Sequence, residues 1–301
     1  MAKAKTIDTS KPMKIKESTG YRIFTVCNTI LMVIICVVML YPFVYLVAQS
    51  FSSAEAILAG KVSLLPVDFS VDTYAHVIQM QNYIFVRNYA NTIIYSILGT
   101  VLALVFSCLL AYPLSKRELR ANKVVGPFVI FTMYFAAGMI PNYVLMTSLG
   151  LKDNVLAFII PGMISTYYVI LMRSFFETVP RELEEAGEID GLSMWGAFLH
   201  VALPLSKPII ATMTLFYLVQ YWNNWFDAFL YLSEREMWPV AYQLRNLIST
   251  SQNVQDAAEA LSINSNIKSC AMVLTAAPII CVYPFIQRYF VQGMMLGGVK
   301  G

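Results

Sequence analysis

Six stretches of this chain run without a single Asp, Glu, Lys or Arg: Ile23 to Ala54, Asn88 to Ser115, Val124 to Leu151, Asn154 to Met172, Pro208 to Phe226 and Ser269 to Gln287. About 20 apolar residues carry a helix across roughly 30 Å of hydrocarbon, so the pattern predicts an all-α membrane protein with six transmembrane helices. The first three stretches exceed that length, and Pro42, Pro113 and Pro141 mark expected kinks or ends. Only Lys152 and Asp153 separate the third stretch from the fourth, which predicts a tight helical hairpin with Gly150 near its turn. The first stretch outlasts the apolar core of a cleaved signal peptide, about 7–15 residues, and no Ala-x-Ala-like site follows promptly, so it reads as a retained span.

Composition agrees. Of 301 residues, 58% are hydrophobic and 13% charged, and mean hydropathy is +0.62. A soluble globule of this length cannot hide that much apolar surface, because its exterior must be polar. The net charge of +3 gives no reason to expect a nucleic-acid partner. Where the basic residues sit is more informative. Six crossings divide the 21 Lys and Arg residues into 15 on one side and 6 on the other. Lys and Arg collect on cytoplasmic flanks, so the side holding Lys3, Lys5, Lys11, Lys14, Lys16, Arg22, Lys116, Arg117, Arg120 and Lys123 is expected to be cytoplasmic, with both termini. The expected organisation is a cytoplasmic segment over 1–22, a membrane domain over 23–290 and a cytoplasmic tail over 291–301. The five cysteines (Cys27, Cys36, Cys108, Cys270, Cys281) all fall in apolar runs and read as small buried hydrophobes.

Several chemistries lack their residues. No predicted span carries an ionisable Asp, Glu, Lys or Arg, which argues against proton coupling; a sodium-coupled carrier using backbone carbonyls stays open. His76 and His200 lie far apart, without metal-ligand spacing, so no metal site is expected. No phosphate-cradling G-x-x-x-x-G-K-[ST] loop occurs, so any ATP and Mg would be bound by a partner chain. No His, Asp or Ser cluster suggests a polytopic membrane enzyme, and no catalytic residue is expected.

Two connections are too long to be turns: 173–207, predicted inner, and 227–268, predicted outer. From Thr178 the inner one reads TVPRELEEAGEIDGLSMWGAFLHVALPLSKP. Pro180 suits the first position of a short helix, Glu182, Glu184 and Glu185 complement its positive end, and Gly191 suits a left-handed cap. Ser193 can cap a second helix that Pro204 and Pro208 interrupt. Leu183, Ala186, Gly187 and Asp190 share one face, where two small residues permit close approach of a protein partner.

This run, Glu185-Ala186-Gly187, three residues, Gly191, nine residues, Val201, one residue, Leu203-Pro204, resembles the EAA loop of bacterial ABC importer permeases, E-A-A-x3-G-x9-I-x-L-P. Gly187 replaces the second Ala and Val201 the Ile; both keep the size class. The loop, over 178–208, falls between the fourth and fifth predicted spans, as that family requires. The stretches from Met139 to Leu151, Tyr221 to Leu232 and Tyr283 to Gly301 are similar to permeases of the binding-protein-dependent carbohydrate branch, particularly importers of complex oligosaccharides.

The resemblance implies a type I importer permease fold and a transport subunit without its own ATP site. It implies a second homologous permease, expected as a heterodimer, two ATP-binding subunits and an extracytoplasmic solute-binding protein, in a bacterial cell membrane. Glu185, Ala186, Gly187, Asp190, Gly191, Leu203 and Pro204 would couple to the ATPase by alternating access. The tail from Gln292 to Gly301 would reach the ATPase dimer, and the loop over 227–268 would correspond to the one that enters the binding protein's cleft in maltose-type importers. For the solute pathway, Tyr217, Gln220, Tyr221, Asn224 and Trp225, with Asn91, combine ring faces for pyranose C–H surfaces with amides for hydroxyls. Trp and Tyr also form interfacial belts, which is the competing reading of the same residues. A permease for a non-sugar solute is the alternative within transport.

Overall fold

The computed structural model describes residues 18–116, 118–252, 266–282 and 284, and every regular element among them is helical. Helix α1 (Thr19–Ser50) starts where the Ser18 hydroxyl accepts from the Tyr21 amide. A short α2 (Ala54–Leu58) leads to the 44-residue α3 (Asp72–Ser115), whose backbone turns left-handed at Asn82 and Tyr83. Its portion over 82–115 and α1 are each long and apolar enough to cross a bilayer. Pro42 and Pro113 lie inside these two helices rather than ending them.

The third and fourth apolar stretches each form two helices joined at a bend. Helices α4 (Asn122–Tyr134) and α5 (Met139–Ser148) meet at 114°, and the break falls before Pro141, at Gly138 with φ +92°. Helix α6 (Val155–Ile159), prolonged by a 3-10 turn to Gly162, meets α7 (Thr166–Phe176) at 52°. Between α5 and α6 the expected hairpin is present. Gly150, at φ +71°, donates to the Thr147 carbonyl and Leu151 to that of Met146, a paired closure that satisfies carbonyls at the end of α5.

The inner connection folds as α8 (Arg181–Ile189), α9 (Met194–Ala197), a π turn over Phe198–Ala202 and α10 (Leu203–Leu205). The π turn ends two residues before Pro204. A wider turn relieves the clash of a proline ring with the carbonyl four residues earlier. Helix α11 (Lys207–Trp222) leaves this unit at 80° and is followed by α12 (Phe226–Tyr231), α13 (Val240–Gln252) and the apolar α14 (Asn266–Val282).

The main core lies where α3 packs against α11 and α7, with Tyr95, Phe158, Met172, Phe176, Met213 and Tyr217 among its members. Close approach depends on Gly99, where a Cβ would stand 2.8 Å from the Tyr221 ring. By contrast, no residue in the most apolar window of α1 is buried by the rest of the chain, and Val38 is 65% exposed. So much apolar surface is stable only against lipid or another chain, since each Å² facing water costs roughly 25 cal/mol. Cys108 and Cys270 are buried as expected, whereas Cys27, Cys36 and Cys281 are exposed on such outward helix faces.

Contacts between connections sort onto two ends. At one end, Lys116 and Glu118 pair with Glu184 and Arg181. At the other, the Ser233 amide donates to Asp153 (2.6 Å), Asn91 donates to the Glu236 carbonyl (2.6 Å), and Asn266 donates to the Ser52 carbonyl (2.9 Å). The N-terminal segment over 1–17, Arg117, the stretch over 253–265 and the C-terminal tail, all bearing on expectations above, lie outside the described residues.

Candidate functional site: the α8 helix and the outer end of α11

Helix α8 is built from local signals. Pro180 stands at its N-cap, one residue earlier than expected, because the proline has no amide to contribute to the first turn. Its far end closes at Gly191, whose φ of +88° only glycine adopts without strain. The Gly191 amide donates to the Glu188 carbonyl (3.0 Å) and the Leu192 amide to that of Gly187 (2.9 Å), the same paired closure as at Gly150. Ser193 then caps α9 by accepting from the Gly196 amide (3.3 Å).

The predicted partner face is divided by the structure. Ala186 and Asp190 are exposed, but Gly187 is buried, facing Leu192; a Cβ there would stand 3.0 Å from Leu192 Cδ1. Each helical residue turns about 100°, so Glu182, Glu185, Ala186 and Ile189, at spacings of three and four, form an exposed stripe beside the exposed Leu183 and Asp190. Ile189 is 87% exposed, unusual for an isoleucine next to an acidic surface. Leu203 is half-buried and Pro204 exposed, on the segment that continues into α11.

Glu184, on the opposite face, ties α8 to the end of α3. Its carboxylate pairs with Lys116 and accepts from the Tyr112 hydroxyl (3.3 Å). The Lys116 ammonium also lies 4.5 Å from the Tyr112 ring centroid. Side chains of the pair are only 18% and 13% exposed, so solvent screens the attraction weakly. A second pair, Arg181 with Glu118, is mostly exposed. The backbone amide of Glu118 itself, and then Arg181, hold the Glu118 carboxyl below its ordinary pKa. Asn122 closes the same junction by donating to the Pro113 (2.8 Å) and Lys116 (2.6 Å) carbonyls, beside the Lys116 and Leu119 amides that donate to the same two carbonyls. Helix α8 is therefore joined to the end of α3 by direct side-chain contacts. Sequence reading missed this junction: Lys116 and Glu184 are 68 positions apart, and nothing local marks them as partners.

At the other end, the residues expected to line a solute pathway are distributed unequally. Tyr217 and Tyr221 are fully buried within the subunit, neither on a solute-accessible face nor in an interfacial belt. The Tyr217 hydroxyl is shared with Ser107 (2.7 Å), and that of Tyr221 donates to the Ile159 carbonyl (2.9 Å), so both rings fasten α11 to its neighbours. Gln220 donates to the Gly162 carbonyl (3.0 Å), and Asn91 to the Glu236 and Trp238 carbonyls. Asn224 donates to Asp227 (2.7 Å) while the Asp227 amide donates back to Asn224 (3.3 Å). Burial raises the Asp227 pKa, opposed by the Asn224 amide. Trp225 is half-buried beneath the Arg245 guanidinium, 3.6 Å from its ring centroid.

Residues 103–296 match the model of the family described as "Binding-protein-dependent transport system inner membrane component". Protein LplC of Bacillus subtilis (strain 168) is 38% identical over 284 residues, covering 93% of this chain and 96% of its own. The polygalacturonan/rhamnogalacturonan transport system permease protein YtcP of the same organism is 37% identical over 273 residues, covering 89% and 94%. Among solved structures, a chain from a bacterial ABC transporter involved in the import of the acidic polysaccharide alginate superposes with a TM-score of 0.84 at 34% identity, covering 92% of this chain and 100% of its own. A chain of a bacterial alginate ABC transporter in complex with alginate pentasaccharide-bound periplasmic protein shares the fold, with a TM-score of 0.57 at 14% identity, covering 88% and 93%. With an α8 that presents an acidic and apolar stripe outward and is tied inward to α3, this chain belongs to the family of binding-protein-dependent transport system inner membrane components.

Proposed function

We propose that this chain is one permease half of an ATP-driven importer of oligosaccharides in a bacterial cytoplasmic membrane. It crosses the membrane six times, with both termini in the cytoplasm, and forms the pathway with a second, homologous but distinct permease. Two ATP-binding subunits, which hold the ATP and Mg, seat on α8, and a solute-binding protein docks at the opposite end. The observation that carries this reading is α8 itself: Glu185 and the 87%-exposed Ile189 face outward while Glu184 fastens the helix to α3. An exposed apolar residue on a charged helix is what a protein partner covers.

Closure of the ATPase would pull α8 and, through the Lys116–Glu184 junction, tilt α3 and the helices packed on it. Transport then follows as a two-state equilibrium biased by contacts that differ between the states. Glu185, Ala186, Asp190, Leu203 and Pro204 contact the ATPase directly in this reading; Gly187 and Gly191 shape the helix that does. At the other end Trp225, Asn224, Gln220 and Asn91 contribute to the solute path, and Tyr217 and Tyr221 hold α11 in place beneath them. Support for a carbohydrate cargo comes from relatives named for polygalacturonan and arabinooligosaccharides, the latter being AraQ of Bacillus subtilis (strain 168), 25% identical over 297 residues.

The test is purification of the complex through this chain, followed by an ATPase assay with solute-binding proteins and a panel of oligosaccharides. An associated ATPase stimulated by one binding protein with its sugar is expected. Absence of any associated ATPase activity overturns the proposal.

A further inference from the structure

Of the described cations that lie over aromatic rings, Arg245 lies nearest its ring. Its guanidinium carbon lies over Trp225, 3.6 Å from the ring centroid, and among the described residues no carboxylate pairs with it. The pair borders a cavity of about 330 Å³ whose other walls are Ala241, Leu244, Ile248 and Ser249. That volume falls within the roughly 300–1,000 Å³ typical of small-ligand sites. A guanidinium held over an aromatic face keeps its planar set of N–H donors, the fork that matches a carboxylate. Ala241, Leu244 and Ile248 offer apolar contact for C–H surfaces, and the Ser249 hydroxyl, which donates to the Arg245 carbonyl (2.9 Å), keeps lone pairs for a further donor.

An oriented cation, an apolar wall and a hydroxyl in one cavity suit a pyranose ring bearing a carboxylate better than a neutral sugar. A neutral sugar would desolvate the guanidinium without replacing its lost water by an anion. The cavity lies at the end of the molecule opposite α8, where Asp153 meets Ser233 and Asn91 meets Glu236. Two of the similar proteins are named for acidic chains, alginate and polygalacturonan.

We infer that Trp225 and Arg245 form a subsite that selects uronate-containing oligosaccharides, with Arg245 holding the carboxylate. The inference rests on the proposed carbohydrate import and narrows it to acidic cargo.

The test is uptake by proteoliposomes holding the complete importer, with tetragalacturonate and a tetramannuronate as acidic probes and a neutral galactose tetrasaccharide as control. Wild-type protein is expected to carry an acidic probe. Arg245→Gln should lose about tenfold or more in apparent affinity for it, and Arg245→Lys should recover only part, because an ammonium keeps the charge without the planar fork. ATPase activity without sugar reports that each variant is folded and assembled. Acidic uptake unchanged in Arg245→Gln overturns the subsite. Wild-type uptake of the neutral probe alone also overturns it while leaving carbohydrate import standing; uptake of no sugar by an ATPase-active complex overturns both.

Discussion

The Lys116–Glu184 junction yields a quantitative prediction. Lys116→Met keeps the side-chain length and leaves the Glu184 carboxylate, 13% exposed, with the Tyr112 hydroxyl as its one remaining partner among the described residues. Fully exposed pairs contribute about 0–1 kcal/mol, and breaking fully buried ones costs about 3–5 kcal/mol. A pair exposed to 18% and 13% lies between, so the expected loss is about 2 kcal/mol in the local stability of α8. That corresponds to amide hydrogen exchange roughly 30-fold faster across α8. The exchange should be followed by mass spectrometry on the assembled importer, with α11 as internal reference. Glu184→Gln should do the same, and the double variant should lose less than the two single losses added, because neither charge is then orphaned. The charge-exchanged Lys116→Glu with Glu184→Lys should recover part of the protection. Exchange of α8 within twofold of wild type in Lys116→Met, or strictly additive losses, would refute the claim that this pair anchors the helix to α3.

Gly191→Val forces a β-branched residue to φ +88°, at a cost of at least about 1–2 kcal/mol, so uptake should fall severalfold while ATP hydrolysis persists, read as sugar carried per phosphate released. Gly187→Ala meets the flexible tip of Leu192 at 3.0 Å and Val201 at an ordinary 3.8 Å, and should leave that ratio nearly unchanged. Gly99→Ala places a methyl 2.8 Å from a Tyr221 ring that its hydroxyl holds to Ile159, and should lower the thermal midpoint of the detergent-solubilised protein by an amount equivalent to about 1–3 kcal/mol. Asp153 accepts from the Ser233 amide, chiefly for which reason its pKa lies below the ordinary value. Its contribution is therefore present above the unfolded-state pKa and lost as pH falls through the lower folded value. Protection of the Ser233 amide, corrected for intrinsic exchange, should drop in that acid window, and Asp153→Asn should abolish the dependence.

Much of the inner connection was legible because its signals are local. A proline before α8, a glycine at a left-handed position after it and a serine before α9 each act through atoms within four residues, so spacing alone locates them. The apolar stretches were legible as helices for the same reason, but their bends were not. The 114° break between α4 and α5 sits at Gly138 rather than at Pro141, because a glycine relieved of backbone restraint turns the chain more sharply than a proline admitted into a first helical turn.

The orientation of side chains around α11 was opaque. Tyr217, Tyr221 and Trp225 carry the same aromatic signal in sequence, yet the first two are interior fasteners and the third underlies an arginine twenty positions away.

By itself the sequence determined that the chain is helical and membrane-embedded, and where a capped acidic helix interrupts the apolar runs. These follow from periodicity, charge scarcity and capping, which depend on near neighbours along the chain. Only the tertiary structure decided which face of α8 looks outward, that Glu184 closes on Lys116, and that Arg245 stacks on Trp225. Those are contacts between residues distant in sequence, and their geometry exists only once α3, α8, α11 and α13 have packed.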